Sequence, residues 1–238
     1  MNCQIFLPLV SSISLTILTI TLSPNIVLGK TPQEISFPKL INPVTQSLNN
    51  KEIDLDIAKW LLTKRIIIIT GEVTPELAER VVSQLIFLDT KAPGKDIYLY
   101  INSEGGEINS GLAIYDTIKS LKSDVVTVSL GECSSMATLL LASGTKGKRF
   151  AMPNSRIMIH QPLGGVRGQA SDIAIKAKEM LRLRSLLNNL LVQLTGQPLS
   201  KIEIDSERDF FMSAQEAKAY GIVDQVTNQL PSASQSLN

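Results

Sequence analysis

From residue 54 onward, short β-branched runs alternate with amphipathic segments, successive runs falling roughly thirty residues apart, the length of a β-α-β unit. The clearest run is Arg65-Ile66-Ile67-Ile68-Ile69-Thr70. Four consecutive isoleucines leave no polar face, so this strand belongs in a parallel sheet covered on both faces. Thr74-Pro75-Glu76 then opens a helix: Thr as N-cap, Pro at the first helical position, and an acid near the positive end of the dipole. Leu77, Val81, Leu85 and Leu88 recur along one face of it. Ile97 to Ile101 and Asp124 to Leu130 are the next two strands, with a helix from Leu112 to Leu121 between them. Met136 to Ala142 is a further helix, and Arg156 to Ile159 a fourth strand. The reading is an α/β fold with right-handed crossovers.

A long helix closes the pattern, capped by Ser171-Asp172 and stopped by Gly196 and Pro198. Its apolar stripe, from Ile173 through Ala177, Met180, Leu187 and Leu191 to Leu194, is widened by Leu183, Leu186 and Leu190. That width requires burial, either against another subunit or at the centre of the helix's own domain. Outside residues 54–228 the character changes. Residues 5–29 contain no charged side chain, and residues 1–4 supply no basic n-region, so a signal, an anchor and a misassigned start all stay open. Residues 31–53, with Pro32, Pro38 and Pro43, read as irregular linker, and residues 229–238 as a polar tail.

The charge balance, 23 Lys+Arg against 22 Asp+Glu, leaves no basic surface for counterion displacement, so non-specific nucleic-acid binding is not expected. Cys3 and Cys133 are too few for a disulfide framework or a cysteine-based zinc site. One histidine, His160, must carry any imidazole chemistry. It ends a strand, at the edge where open α/β sheets place ligands, although a structural histidine fits there equally. Gly131 to Ser135 reads as a strand-to-helix turn, which sets a serine beside the free amides of a helix N-terminus. A simple cap is the plainer account. Gly105-Gly106 after the second strand permits close backbone approach to a ligand. Cys133 is a second candidate nucleophile, more naturally a small buried hydrophobe. Asp209, flanked by Phe210 and Phe211, reads as a partly buried acid able to orient an imidazole or to pair with Arg208. A turn serine, the sole histidine and this acid together supply the parts of an acyl-transfer triad.

Contiguous stretches from Asp96 to Ser103, Gly111 to Thr117, Lys146 to Phe150 and Pro153 to Gly165, with Phe211 to Ala214 and Tyr220-Gly221, resemble the proteolytic subunit of the Clp protease, the ClpP family. The resemblance runs from about Asp54 to Val226. It implies a crotonase-like, ClpP-type fold of repeated β-α-β units with a long handle helix, the helix from Ser171 preceded by a Gly164-Gly165 strand. It implies a serine endopeptidase in two stacked heptameric rings, a tetradecamer, which hydrolyses unfolded polypeptides fed by a separate Clp-type ATPase ring. Carried over residue by residue, the nucleophile is Ser135, the base His160 and the orienting acid Asp209, with the backbone N–H groups of Gly105 and Met136 as oxyanion donors. No metal or cofactor is implied in the subunit. Tyr98 and Tyr100 fall in the strand that contributes to the ATPase-docking pockets. Few cysteines and an ATP-dependent partner imply the cytoplasm, with export or anchoring through residues 5–29 as the alternative. The chain departs from the family at Glu104, where proline is usual, and at Ala137, where glycine is; Glu132 and Ser134 are also unusual. Glu104 sets a negative potential beside the oxyanion donors, so a weakly active or inactive ring subunit of a mixed complex is the competing expectation.

Overall fold

The isoleucine run forms the first strand, β1 (Ile66–Thr70), which pairs in parallel with β2 (Ile97–Ser103) from Ile66 opposite Tyr98 to Thr70 opposite Asn102. The structure is a computed structural model that describes residues 55–231. The apolar segment 1–30, the linker 31–53 and residues 232–238 of the tail lie outside the described residues. β3 (Val125–Ser134) continues the parallel sheet, followed by β4 (Arg149–Ala151) and β7 (Gln225–Val226), in the order β1-β2-β3-β4-β7. β5 (Arg156–Ile159) leaves this path: it pairs in parallel with the far end of β3 and antiparallel with β6 (Phe210–Ser213). This is an α/β fold of parallel strands joined through helices, as the sequence leads one to expect. No helix among the described residues is long and apolar enough to cross a membrane.

Seven helices accompany the sheet among the described residues. The first, α1, covers residues 55–63. α2 (Pro75–Lys91) starts as the sequence indicates: Thr74 is the N-cap, its side chain accepts from the Leu77 N–H, and Pro75 stands in the first turn. Its buried side chains are Leu77, Ala78, Val81, Leu85 and Leu88, and each of the larger ones contributes roughly 1.5–3 kcal/mol of transfer free energy on leaving water. α3 (Ile108–Ser120) begins four residues earlier than expected. Asn109, Ser110 and Gly111 are poor helix formers, and a Cβ at Gly111 would meet the Met136 side chain, whose end would have to move. That close contact seats α3 against α4 (Met136–Ala142), whose seven residues are all buried.

α5 (Ala170–Thr195) is the long helix. Its N-cap is Gln169, without a side-chain cap bond, and Asp172 lies inside the first turn, so Ser171 and Asp172 do not cap it. Gly196 ends it in the left-handed conformation that glycine adopts freely. Residues 160–167 before it carry no regular structure, so the expected Gly164-Gly165 strand is absent. Only Asn188 and Leu191 of α5 are buried, while Ile173, Ile175 and Leu181 are exposed. The helix is therefore not central to its own subunit. α6 (Leu199–Asp205) and α7 (Ala214–Tyr220) complete the chain.

One face of the sheet buries Ile67, Ile69, Leu99 and Ile101 under α2, α3 and α4. The other face holds a smaller cluster of Ile66, Tyr98, Tyr100, Val126, Val128 and Phe150, with Leu61 of α1 packed on it. Ile68 stays 39% exposed, so this second face is covered only in part. Tyr98 and Tyr100 are nonetheless buried, and the Tyr100 hydroxyl donates to the Pro231 carbonyl at 2.7 Å.

Candidate active site

β3 runs to Ser134, four residues further than the sequence suggests, so Gly131 to Ser134 is strand rather than turn. Gly131 has a φ of 75°, and a Cβ there would stand 3.0 Å from the Asn102 side-chain oxygen, which accepts the Glu132 N–H. Only glycine passes this point without strain. The strand then switches partner, from β4 at Thr127–Ser129 to β5 at Glu132–Ser134. Ser135, the N-cap of α4, follows at once with φ 56° and ψ −121°. That conformation costs an L-residue roughly 1–3 kcal/mol and persists only where surroundings enforce it. Here the Ser135 N–H donates to the Met158 carbonyl at 2.9 Å. The Thr138 hydroxyl lies 2.7 Å from that same carbonyl and 2.8 Å from the Cys133 carbonyl. The result is a nucleophile-elbow backbone without the G-x-S-x-G sequence.

Register explains the convergence. Ser134 stands opposite Met158 in the parallel β3–β5 pair, so Ser135 lies beside the end of β5, where His160 follows Ile159. Ile159 stands opposite Phe210 in the antiparallel β5–β6 pair, which makes His160 and Asp209 the next facing positions. His160 Nε2 is 2.9 Å from Ser135 Oγ, and Nδ1 is 2.9 Å from Asp209 Oδ1. An acceptor carboxylate at Nδ1 places the proton on that nitrogen and leaves Nε2 free to accept. The His160 side chain is 14% exposed, but that of Asp209 is 57% exposed, so the acid is not partly buried as expected. Phe211 points outward, half exposed, with Arg156 stacked over its ring, and leaves Asp209 uncovered on that side. No Asp209–Arg208 ion pair forms among the described residues.

Ser134 and Cys133 take other roles. The Ser134 hydroxyl donates to Glu132 at 2.7 Å, and Arg156 pairs with the same carboxylate at 3.0 Å. The Ser134 hydrogen bond, with help from Arg156, holds the Glu132 carboxyl below its usual range. The Cys133 thiol points into the core towards the Ile101 carbonyl, and burial pushes it up to about 12. A thiol that stays protonated is no nucleophile.

The two glycines divide the work differently from the sequence expectation. The Gly105 N–H donates to the buried Ser103 hydroxyl at 3.1 Å, so it is turned away from the cavity. The Gly105 carbonyl accepts from Val73 N–H at 2.7 Å. In a trans peptide the next N–H points the opposite way, so the Gly106 N–H is directed away from Val73, on the side where β3 and α4 lie. Gly105 itself must be glycine: at φ 94°, a Cβ would stand 2.6 Å from the Ser134 carbonyl oxygen and 2.8 Å from Ser135 Cβ. Met136 occupies the first position of α4, where helical geometry leaves its N–H without an intrahelical acceptor. The resemblance points to the Gly105 amide; the bond of that N–H to Ser103 leaves the Gly106 N–H as the amide on the side of β3 and α4.

Ser135, His160, Gly106 and Met136 line one cavity of about 280 Å³, with Ile108, Leu139, Leu187 and Leu191 among its apolar walls. Fold and site together define an α/β protein with a Ser–His–Asp constellation at the edge of its sheet. The family model described as Clp protease matches residues 49–230, well over half of the 238-residue chain. The chain belongs to the Clp protease family, a family of serine peptidases that form ring oligomers and generally work with Clp ATPases.

Proposed function

We propose that the chain is an active proteolytic subunit of an ATP-dependent Clp protease, a serine endopeptidase acting on unfolded polypeptide. The observation that carries this reading is the continuous hydrogen-bonded line from Ser135 Oγ through both ring nitrogens of His160 to Asp209, 2.9 Å at each step. Ser135 Oγ attacks the peptide carbonyl while His160 Nε2 takes its proton, and Asp209 balances the imidazolium. The oxygen of the tetrahedral intermediate is received by the N–H groups of Met136 and Gly106, at the N-terminus of α4. His160 returns its proton to the leaving amine, and water hydrolyses the acyl-enzyme by the same relay. No cofactor enters the scheme.

In this reading residues 54–228 are the peptidase domain, and the exposed apolar half of α5 is the handle that a facing ring covers in a tetradecamer of two stacked heptamers. The ATPase ring and a cytoplasmic setting are inferred from family membership, with the strand of Tyr98 and Tyr100 contributing to the docking surface. One feature supports a second reading, a weakly active ring subunit: Glu104 stands at the cavity. Labelling the assembled protein with a fluorophosphonate or β-lactone probe, beside Ser135→Ala, separates them. Modification at Ser135 and hydrolysis of short peptides, both lost in the variant, are expected. A well-formed ring that takes no label overturns the peptidase reading in favour of the scaffold.

A further inference from the structure

Asp209 makes one side-chain hydrogen bond among the described residues, the one to His160. Its carboxylate is therefore placed by the start of β6. That strand has four residues and a single neighbour, β5, and so short an edge strand opens easily if its backbone bonds alone hold it. Side chains supply a second hold. Glu132 stands opposite Arg156 in the β3–β5 pair, and Arg156 and Met158 stand opposite Ser213 and Phe211 in the β5–β6 pair. Facing residues share a face and alternate residues return to it, so Glu132, Ser134, Arg156 and Phe211 lie on one side of the three strands. Across that side the Arg156 guanidinium reaches both ways. A terminal nitrogen lies 3.0 Å from the Glu132 carboxylate on β3, and the central carbon lies 5.2 Å from the centroid of the Phe211 ring on β6. Glu132 accepts in turn from the Ser134 hydroxyl at 2.7 Å, and Ser134 is buried immediately before Ser135. The contacts thus run unbroken from the residue before the nucleophile to the second residue after the acid. Glu132 and Ser134, two positions at which the chain departs from its family, form one end of the run.

We infer that Arg156 is a positioning residue for peptide hydrolysis: by tying β6 to β3 through Phe211 and Glu132, it keeps Asp209 at bonding distance from His160 Nδ1. The inference rests on the peptidase reading above. Arg156 does not line the cavity at Ser135 and bonds to none of the three triad side chains among the described residues. It therefore acts through Asp209 on the chemical step and leaves substrate binding alone. The Arg156 and Glu132 side chains are 58% and 35% exposed, so the ion pair and the ring contact are each of surface strength. Their loss together lowers kcat by roughly three- to tenfold.

The test measures kcat and KM for a short fluorogenic peptide on assembled full-length protein. The variants are Arg156→Ala, Asp209→Ala and the two combined, with Phe211→Leu and Phe211→Tyr beside them. Arg156→Ala and Phe211→Leu are each expected to lower kcat, Arg156→Ala by about three- to tenfold, with KM unchanged. Phe211→Tyr, which keeps a ring face for the guanidinium, stays within about twofold of the unaltered protein. In the Asp209→Ala background Arg156→Ala costs nothing further, because no carboxylate is left to position. An Arg156→Ala variant with full kcat, or a loss that persists undiminished without Asp209, overturns the inference and leaves the peptidase reading standing. If Arg156→Ala does not assemble, the Phe211 pair decides: Phe211→Leu as active as Phe211→Tyr overturns the inference. Unaltered, assembled protein that hydrolyses no peptide overturns the peptidase reading and the inference with it.

Discussion

Asp209→Asn is the perturbation whose size follows most directly from the geometry. The asparagine keeps an oxygen near His160 Nδ1 but removes the charge that stabilises the imidazolium in the transition state. The Nδ1–Oδ1 separation is 2.9 Å. At that distance unit charges attract by about 1.4 kcal/mol with the dielectric of water, and by about 5.7 kcal/mol at an effective dielectric of 20. These limits correspond to losses in kcat of about tenfold and about ten-thousandfold. The Asp209 side chain is 57% exposed, so solvent screens the pair and the lower limit is the nearer one. The expected loss is roughly ten- to three-hundredfold, well short of the roughly ten-thousandfold cost seen where a triad acid is buried. The assay is kcat for a short fluorogenic peptide, measured on assembled protein so that substrate delivery plays no part. A loss approaching ten-thousandfold refutes the reasoning, because it means that the screened charge of Asp209 does not set the size of its contribution.

Gly105→Ala should cost roughly 2–4 kcal/mol and most of the peptidase activity, since its Cβ meets the Ser134 carbonyl and Ser135 Cβ at a φ of 94°; denaturant unfolding beside peptide hydrolysis reads both. Asp224 accepts from Arg149 Nε at 2.9 Å and from its terminal nitrogen at 2.7 Å, with Arg149 buried. Asp224→Ala strands that guanidinium and should destabilise by roughly 3–5 kcal/mol, again by denaturant titration. Burial raises the Asp224 carboxyl, but the hydrogen bonds and charge of Arg149 outweigh it and hold it below its usual value. A depressed carboxyl contributes stability above its unfolded pKa of about 3.9 and loses it as pH falls through the folded value. The variant should therefore lack part of the acid-side loss of stability that the unaltered protein shows. Iodoacetamide at neutral pH should leave Cys133 unmodified in the native protein, with peptide mapping by mass as the readout, because its thiol is buried and pushed up to about 12.

Much of this was legible in the sequence where local chemistry and tertiary need agree. Thr74-Pro75 marks the start of α2 because cap and first-turn proline answer to backbone geometry alone, and Met136–Ala142 and Arg156–Ile159 match their expected bounds. The misses have separate causes. β4 and β7 have three and two residues, too few for a period to show. α3 begins at Ile108 and takes in Asn109-Ser110-Gly111, where packing against Met136 overrides propensity. The exposure of Asp209 was unreadable because flanking phenylalanines signal burial only if both turn inward, and Phe211 does not. The choice between Ser134 and Ser135 as nucleophile came from family resemblance; the structure turns one hydroxyl to Glu132 and the other to His160.

What assembles the site is the length of β3. A strand ending at Leu130 would leave Ser135 in a flexible loop, with no neighbour to hold it at positive φ. By passing through Gly131, β3 leaves β4 and recruits β5, and β5 in turn recruits β6. Each pairing delivers one member of the constellation at a strand end: Ser135 after β3, His160 after β5, Asp209 before β6. The strain at Ser135 is then met by bonds from the same pairing, its N–H and the Thr138 hydroxyl both turned on the Met158 carbonyl. Loss of the Gly131 bend, which the Asn102 side chain of β2 holds through the Glu132 N–H, would therefore disturb all three side chains together.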